Sequence, residues 1–268
     1  MATIHPSAVV DADVQLADDV SIGPNCVVEK GVRIGAGTLL MANCVIERDV
    51  VIGENNHFYP ACCIGIMPQI LGWGPDTETG KLVIGDNNTF RENVTVHRSM
   101  LTDSKTEIGN DNLLMMGVHI AHDCILEDKL VITNLVQLGG HCRLETGAWI
   151  SGLCGLHQFV TIGKWCYIAG QTAVPRDVVP YLMLSGSYPS KVRGVNDRGV
   201  RRAGLGDDDL KSIFRAYKRL YRGEGTVLEN ARRLSEQENP EGPVRDMIDA
   251  IEKSSQHRYG RYREQFRH

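Results

Sequence analysis

The stretch MMGVHIAHDCIL, residues 115–126, sets His119 and His122 three apart, with Asp123 directly after the second imidazole. Three further histidines, His97, His141 and His157, lie within the same third of the chain. A neutral imidazole near pH 7 is suited to general base catalysis. The same spacing would equally serve a helix face or a metal pair. Only the elements that carry these residues can separate the three readings.

Those elements announce themselves by a period of six. From Ile4 every sixth residue is apolar: Val10, Leu16, Ile22, Val28, Ile34, Leu40, Ile46, Ile52, Phe58, Ile64. The phase breaks over residues 66–82, resumes at Ile84, Phe90 and Val96, and skips a unit through the polar run SMLTDSKTE. It then continues from Ile108 to Val174, giving 26 hexads in all. Four residues after each aliphatic comes a small or β-branched residue, such as Ala8, Val14 or Cys26. A 3.6-residue helix cannot hold such a period on one face. A parallel β-helix shaped as a triangular prism can, with one hexad per side and coils stacked ~4.8 Å apart. Gly23, Gly35, Gly53, Gly85, Gly109 and Gly163 follow an isoleucine, and Asn25 and Asn43 recur at corners. These types tolerate left-handed backbone angles, which predicts that both mark the bends.

The register places seven of the eight cysteines. Cys26, Cys44, Cys62, Cys124, Cys142, Cys154 and Cys166 share the small inward slot, and only Cys63 falls outside it. They read as small buried hydrophobes rather than disulfides or zinc ligands, because they form columns instead of converging. The same register puts His122 at an outward corner between Ile120 and Cys124, and His119 at the close of the preceding hexad. His97 and His157 follow the inward Val96 and Leu156, and His141 is next to Gly140, one coil beyond His122. Five histidines outside the packed column point to a shared cleft. A single prism has no deep pocket, so packing of three prisms around an axis would supply it. Zinc is a rival, but no Asp, Glu or Cys completes a tetrahedral set.

The repeat is expected to stop near Pro180, followed by helices. DDDLKSIFRAYKRLYRG carries Leu210, Ile213, Phe214, Tyr217, Leu220 and Tyr221 on one face, opens on acids and is followed by a glycine. TVLENARRL and VRDMIDAIEK read as two more helices. A basic bias between Lys191 and Arg222 suits either a solvated face or an acidic partner. The basic tail HRYGRYREQFRH has no assigned role. The net charge of −4 gives no bulk reason to expect nucleic acid. No apolar run reaches the roughly 18 residues of a membrane span, and no secretory signal opens the chain, so the expected compartment is cytoplasmic.

At ENVTVHR, GNDNLLMMGVHIAHDC, LGGHCRLE, GLHQFVTIG, GVNDRGVRR and AYKRLYR the sequence resembles the UDP-N-acetylglucosamine O-acyltransferases of lipid A biosynthesis. The resemblance runs from Ile4 to about residue 230. It implies a mainly β, left-handed parallel β-helix over residues 1–188, a small α-helical domain over 189–268, and a homotrimer. It further implies that His122 takes the proton from a sugar 3-hydroxyl, that Asp123 supports it, and that the Gly140 N–H holds the oxyanion. His97, His119, His141, His157 and Gln158 would contact sugar nucleotide or acyl chain, and Asn196 and Arg202 the nucleotide. Gly170 matches the position that closes the acyl channel. The donor would be a 3-hydroxyacyl group on acyl carrier protein, docked on the basic helix face, with no metal or cofactor.

Two departures stand out. Gln69-Ile70-Leu71-Gly72-Trp73 lacks the acid and the lysine with which this family touches the acceptor sugar, and Arg198 replaces an acid in the nucleotide motif. The acceptor stays open between a hydroxyl and a 3-amino group. Rival readings are an acyl-coenzyme A-dependent N-acyl- or acetyltransferase, and a trimeric scaffold without catalysis.

Overall fold

A computed structural model describes residues 1–267. All 26 hexads form short strands, from Thr3–Ile4 to Ala173–Val174, each ending on its inward apolar residue except Cys63–Ile66 and Thr95–His97, which run past theirs. The strands stack into three parallel sheets, one for each side of a prism. Face 1 runs through Ile4, Ile22 and Leu40 to Ile168; face 2 through Val10, Val28 and Ile46 to Val174; face 3 through Leu16 and Ile34 to Ile162. The fold is a left-handed parallel β-helix with a small helical C-terminal part. The aliphatic column is buried throughout except in the first coil, where Ile4 has no coil beneath it.

Two parts of the bend chemistry separate. In the regular corners after the first coil the left-handed residue is the third after the aliphatic: Asn25 at φ 56°, Asn43 at 59°, and likewise Asp123 at 59° and His141 at 62°. The expectation for asparagine holds, and Gly65 after Ile64 has such an angle too, at φ 75°, but the six glycines expected at the bends do not. They are required by close approach. A Cβ on Gly35 would stand 2.6 Å from the Gly53 carbonyl carbon, and one on Gly163 2.5 Å from the Pro180 nitrogen.

The cysteine columns are core. All seven are buried, and their S–H groups donate to carbonyls of the next coil, as Cys124 does to Gly139 at 3.3 Å. Burial raises the Cys124, Cys154 and Cys166 thiols, with Cys166 pushed up to about 12.

The stack runs past Pro180. Leu182–Ser185 adds a further parallel strand, with Leu184 beside Ile168, and Lys191–Val195 returns antiparallel to it. The helices α1 (Asp197–Arg202), α2 (Asp207–Arg222), α3 (Val227–Glu238) and α4 (Gly242–Ser255) follow. Their apolar faces close the open end of the solenoid through a second core, with Ile213, Leu220, Ala231, Leu234, Met247 and Ile248 packed near Tyr181, Leu182 and Val195. This covers the last strands, which would otherwise present unpaired edges. On α2, Phe214 departs from expectation: it is 40% exposed, because the buried stripe follows Ile213, Ala216, Tyr217 and Leu220.

Candidate functional site

Both breaks in the hexad phase occur at one edge of the prism. Residues after Ile64 and after Val96 leave the stack between faces 2 and 3, in the two coils directly preceding that of Ile120. The same edge carries the chemistry. His97, His119, His122, Asp123, Gly140, His141, His157 and Gln158 all lie along it, on four successive coils. One column, third after the aliphatic, reads Ser99, Asp123, His141, Phe159.

His122 Nδ1 lies 2.8 Å from Asp123 Oδ2. The carboxylate can only accept, so Nδ1 carries a proton, and in the neutral ring the lone pair falls on Nε2. Asp123 is 6% exposed. Burial works against its ionisation, yet hydrogen bonds from His122, Ser99 and the Met100 N–H hold its carboxyl below the usual range. Its own N–H donates to Thr106 Oγ1 at 2.8 Å. His97 is buried and donates from Nδ1 to the Met67 carbonyl at 2.6 Å, so the first excursion sets its tautomer. Desolvation lowers His97 to about 4, and the neutral Nε2 is buried without a protein partner among the described residues. His119 is lowered as well, first by burial and then by the charge of His122, and its Nδ1 meets Thr95 Oγ1 at 2.9 Å. His141 stacks on Phe159, with centroids 4.5 Å apart and planes within 2°, and meets His122 edge-on.

Gly140 follows two residues after Leu138. At that slot the backbone N–H points away from the ladder, which is why Pro24 and Pro60 can occupy it. In other coils the N–H is taken by a carboxylate: Glu54 by Asp86 at 2.7 Å, Asn110 by Asp128 at 2.7 Å, Thr146 by Glu127 at 2.9 Å. At Gly140 no protein group among the described residues accepts it. The Gly140 N–H is thus left open beside His122, in a slot where some coils bind a carboxylate.

His122, Asp123 and His141 offer ligand atoms within 4.8 Å of one another, so Asp123 does join two imidazoles, contrary to the sequence expectation. Asp123 Oδ2 is already engaged by the His122 Nδ1–H, so an ion bound through that oxygen would have to compete with this hydrogen bond.

Gly170, Asn196 and Arg202 are elsewhere. Gly170 lies two residues after Ile168, at the edge between faces 1 and 2, where an added Cβ would meet only Gly152 O at 3.4 Å and Ser151 Cβ at 4.0 Å. Asn196 caps α1, accepting from the Gly199 N–H and donating to the Trp165 carbonyl at 2.8 Å. The Arg202 guanidinium sits 4.9 Å over Trp149 and 5.7 Å from the Trp165 ring centroid.

Other contributors escaped the sequence reading. Ser99 follows from the register, being third after Val96 as Asp123 is after Ile120. The tail gave no signal. Its 3-10 turn Tyr262–Phe266 folds back on the edge: Arg263 Nε donates to the His141 carbonyl at 2.9 Å, and Arg267 lies 5.8 Å from the Phe159 centroid.

A family model described as Udp N-acetylglucosamine O-acyltransferase, domain 2, matches residues 177–260, and one for the GMPPB C-terminal domain matches residues 1–106. The acyl-[acyl-carrier-protein]–UDP-N-acetylglucosamine O-acyltransferase of Aliivibrio salmonicida is 45% identical over 95% of this chain and 96% of its own length. The enzyme of that name from Stenotrophomonas maltophilia is 42% identical over 93% and 94%. A UDP-N-acetylglucosamine acyltransferase structure from Campylobacter jejuni superposes with a TM-score of 0.87 at 34% identity, covering 94% of this chain and 96% of that one. One from Acinetobacter baumannii gives 0.85 at 34%, covering 92% and 95%. With such identity over nearly the whole length of both chains, this protein belongs to the acyl-[acyl-carrier-protein]–UDP-N-acetylglucosamine O-acyltransferase family.

Proposed function

We propose that the chain transfers a 3-hydroxyacyl group from acyl carrier protein to the 3-position of UDP-N-acetylglucosamine, the first step of lipid A synthesis. The observation that carries the chemistry is the His122–Asp123 pair beside the open Gly140 N–H. His122 Nε2 takes the proton of the sugar hydroxyl as its oxygen attacks the thioester carbonyl. Asp123 holds the imidazole in the Nδ1–H tautomer and offsets the imidazolium charge. The Gly140 N–H receives the oxyanion in the position some other coils give to a carboxylate. On collapse the carrier thiolate leaves and takes the proton from His122. Thiolate is a competent leaving group, so no metal or cofactor is required.

Residues 1–188 form the catalytic solenoid in this reading, and 189–268 the helical part, with His268 outside the described residues. The active form is a homotrimer. His122 and Arg202 sit at different edges of one prism, so a single chain cannot close them around one substrate, whereas a neighbour can bring its Arg202 and Gly170 to the histidine edge. His97, His119, His141, His157 and Gln158 line that cleft. No helix among the described residues is long and apolar enough to cross a membrane. In this reading the reaction takes place in the cytoplasm, where the carrier protein would supply the acyl group.

His122→Ala should lower kcat by ~10²–10⁴ with thermal stability unchanged, the usual worth of a positioned base. Turnover near that of the parent protein would place the base elsewhere. Running the assay with UDP-N-acetylglucosamine against its 3-amino counterpart addresses the acceptor, since Ile70 and Gly72 stand where the family has an acid and a lysine.

A further inference from the structure

The polar run that interrupts the repeat after Val96 ends at the catalytic pair. The chain leaves the edge at Ser99 and turns back on itself, with Ser104 N–H donating to the Leu101 carbonyl at 3.0 Å. Ser99 is fully buried, and its hydroxyl makes a close hydrogen bond to Asp123 Oδ1. The next backbone group, Met100 N–H, reaches Asp123 Oδ2 at 3.2 Å. Leu101 N–H donates into Ser99 Oγ at 3.0 Å, which turns the hydroxyl proton outward. The Leu101 carbonyl, also 3.0 Å away, competes for that proton. The carboxylate is both nearer and charged, and charge-assisted bonds are the stronger.

The other excursion holds Ser99 from behind. Gly80 N–H donates to the Ser99 carbonyl at 3.0 Å and Ser99 N–H to Lys81 at 3.2 Å. A Cβ on Gly80 would stand 2.9 Å from Ser99 Cβ. Arg98, buried beside it, points the other way to Glu47 and the Gly65 carbonyl. Both departures from the hexad repeat therefore converge on one carboxylate.

We propose that Ser99 is a positioning residue of the acyltransfer site. Its hydroxyl, with the Met100 N–H, locks the Asp123 carboxylate in the orientation that presents Oδ2 to His122. It also draws off part of the negative charge, so that Asp123 orients the imidazole without over-stabilising the imidazolium. This role rests on the assignment of His122 as base.

The sign of the pH effect follows. Without the Ser99 donor the carboxylate concentrates more charge on His122, the imidazolium is favoured, and a higher pH is needed to free the base. The groups facing the pair are His97 and His119, which burial keeps neutral near pH 7, and His141, whose Nε2 lies 3.9 Å from Asp123 Oδ2.

The experiment compares Ser99→Ala, Ser99→Cys, Asp123→Asn and the Ser99→Ala/Asp123→Asn double variant in the full-length protein, with acyl carrier protein thioester and UDP-N-acetylglucosamine. Ser99→Ala should lower kcat about tenfold, in the range of a lost hydrogen bond to a charged group. Both KM values should stay within about twofold, and the acid limb of kcat/KM should move up by about half a pH unit. Ser99→Cys, of similar shape and with a weak donor, should fall between. In the Asp123→Asn background the serine substitution should cost nothing further, because coupled residues are not additive. An impaired Asp123→Asn beside a Ser99→Ala with unmoved kcat and pH profile overturns the role of Ser99 alone. An undiminished tenfold loss in the double variant overturns it too, showing a structural effect that bypasses Asp123. Full activity of Asp123→Asn sinks the catalytic pair, and the serine's role with it. If Ser99→Ala melts early, the pH limb and coupling of the cysteine variant decide.

Discussion

Gly140 lies against the face of the His122 imidazole: a Cβ built on it would stand 2.6 Å from Cε1 and 2.7 Å from Nε2. The two residues occupy the same slot on successive coils. The coil spacing therefore sets the distance between the base and the N–H that awaits the oxyanion, and the missing side chain keeps that distance small. The backbone at Gly140 is an ordinary one that alanine can adopt, so the glycine is there for the ring. Gly140→Ala should push the imidazole aside and lower kcat by about 10²-fold, since a displacement near 1 Å costs that much in a positioned site. Thermal stability should change little. Turnover within about threefold of the parent protein would mean that the ring has room the structure does not show.

His97 makes a prediction about acid stability. It is buried and neutral in the folded chain, lowered to about 4 by desolvation, whereas in an unfolded chain it titrates near 6.5. A depressed value favours folding above 6.5 and loses that contribution as pH falls through 4, because the unfolded chain takes up the proton first. The difference corresponds to roughly 3 kcal/mol. Between pH 7 and 4 the parent protein should lose stability more steeply than His97→Gln in urea titrations. Parallel curves for the two would show that His97 is not held neutral.

Much of this is legible in the amino-acid sequence. A period of six needs only apolar residues in phase, so each of the hexads could be placed, and with them the cysteine columns and the outward position of His122. What could not be read was anything that depends on contact between coils. Gly35 and Gly163 look like bend residues in sequence, yet their need for glycine comes from backbone one coil away. The interruptions looked like loss of pattern. Only stacking shows that both fall at one edge and that Met67 and Ser99 reach His97 and Asp123 from there. Helical phase alone puts Phe214 inward, because it cannot tell the centre of a stripe from its border. The tail is the extreme case, since no local pattern links Arg263 to the His141 carbonyl 122 residues earlier.

Gly170 tests the acyl channel. Leu135 and Leu153, 43% and 57% exposed, stand on its edge with left-handed backbones, a conformation leucine adopts only at a cost. An apolar ledge maintained against strain suits an acyl chain passing along it. Methionine at 170 has space within this chain, so Gly170→Met should fold normally and shift the preference to shorter 3-hydroxyacyl groups. Competition between carrier proteins bearing different chain lengths would show it. An unchanged preference would place the end of the channel at another residue.

The helical part tests the division of labour between nucleotide and carrier. Arg202 lies over Trp149 and Trp165 and is partly desolvated, which lowers its guanidinium below the usual range and marks it as a cation held at a surface rather than free in solvent. Its replacement by alanine should raise KM for the UDP-sugar and leave KM for acyl carrier protein unchanged. On α2, Arg219 turns to Glu238 and Gln237, so it is a poor candidate for docking an acidic partner. Arg215, Lys218 and Arg222 are exposed and remain. Reversing Arg215 and Lys218 to glutamate should raise KM for the carrier and make it less sensitive to salt, because Debye screening acts over about 10 Å at 0.1 M. The effect should lie in capture, with kcat little altered, as charges at the rim of an interface mainly set association rate. A solvated face predicts no change in either KM. Parent-like KM for the carrier at low salt would leave these charges a role in solubility alone.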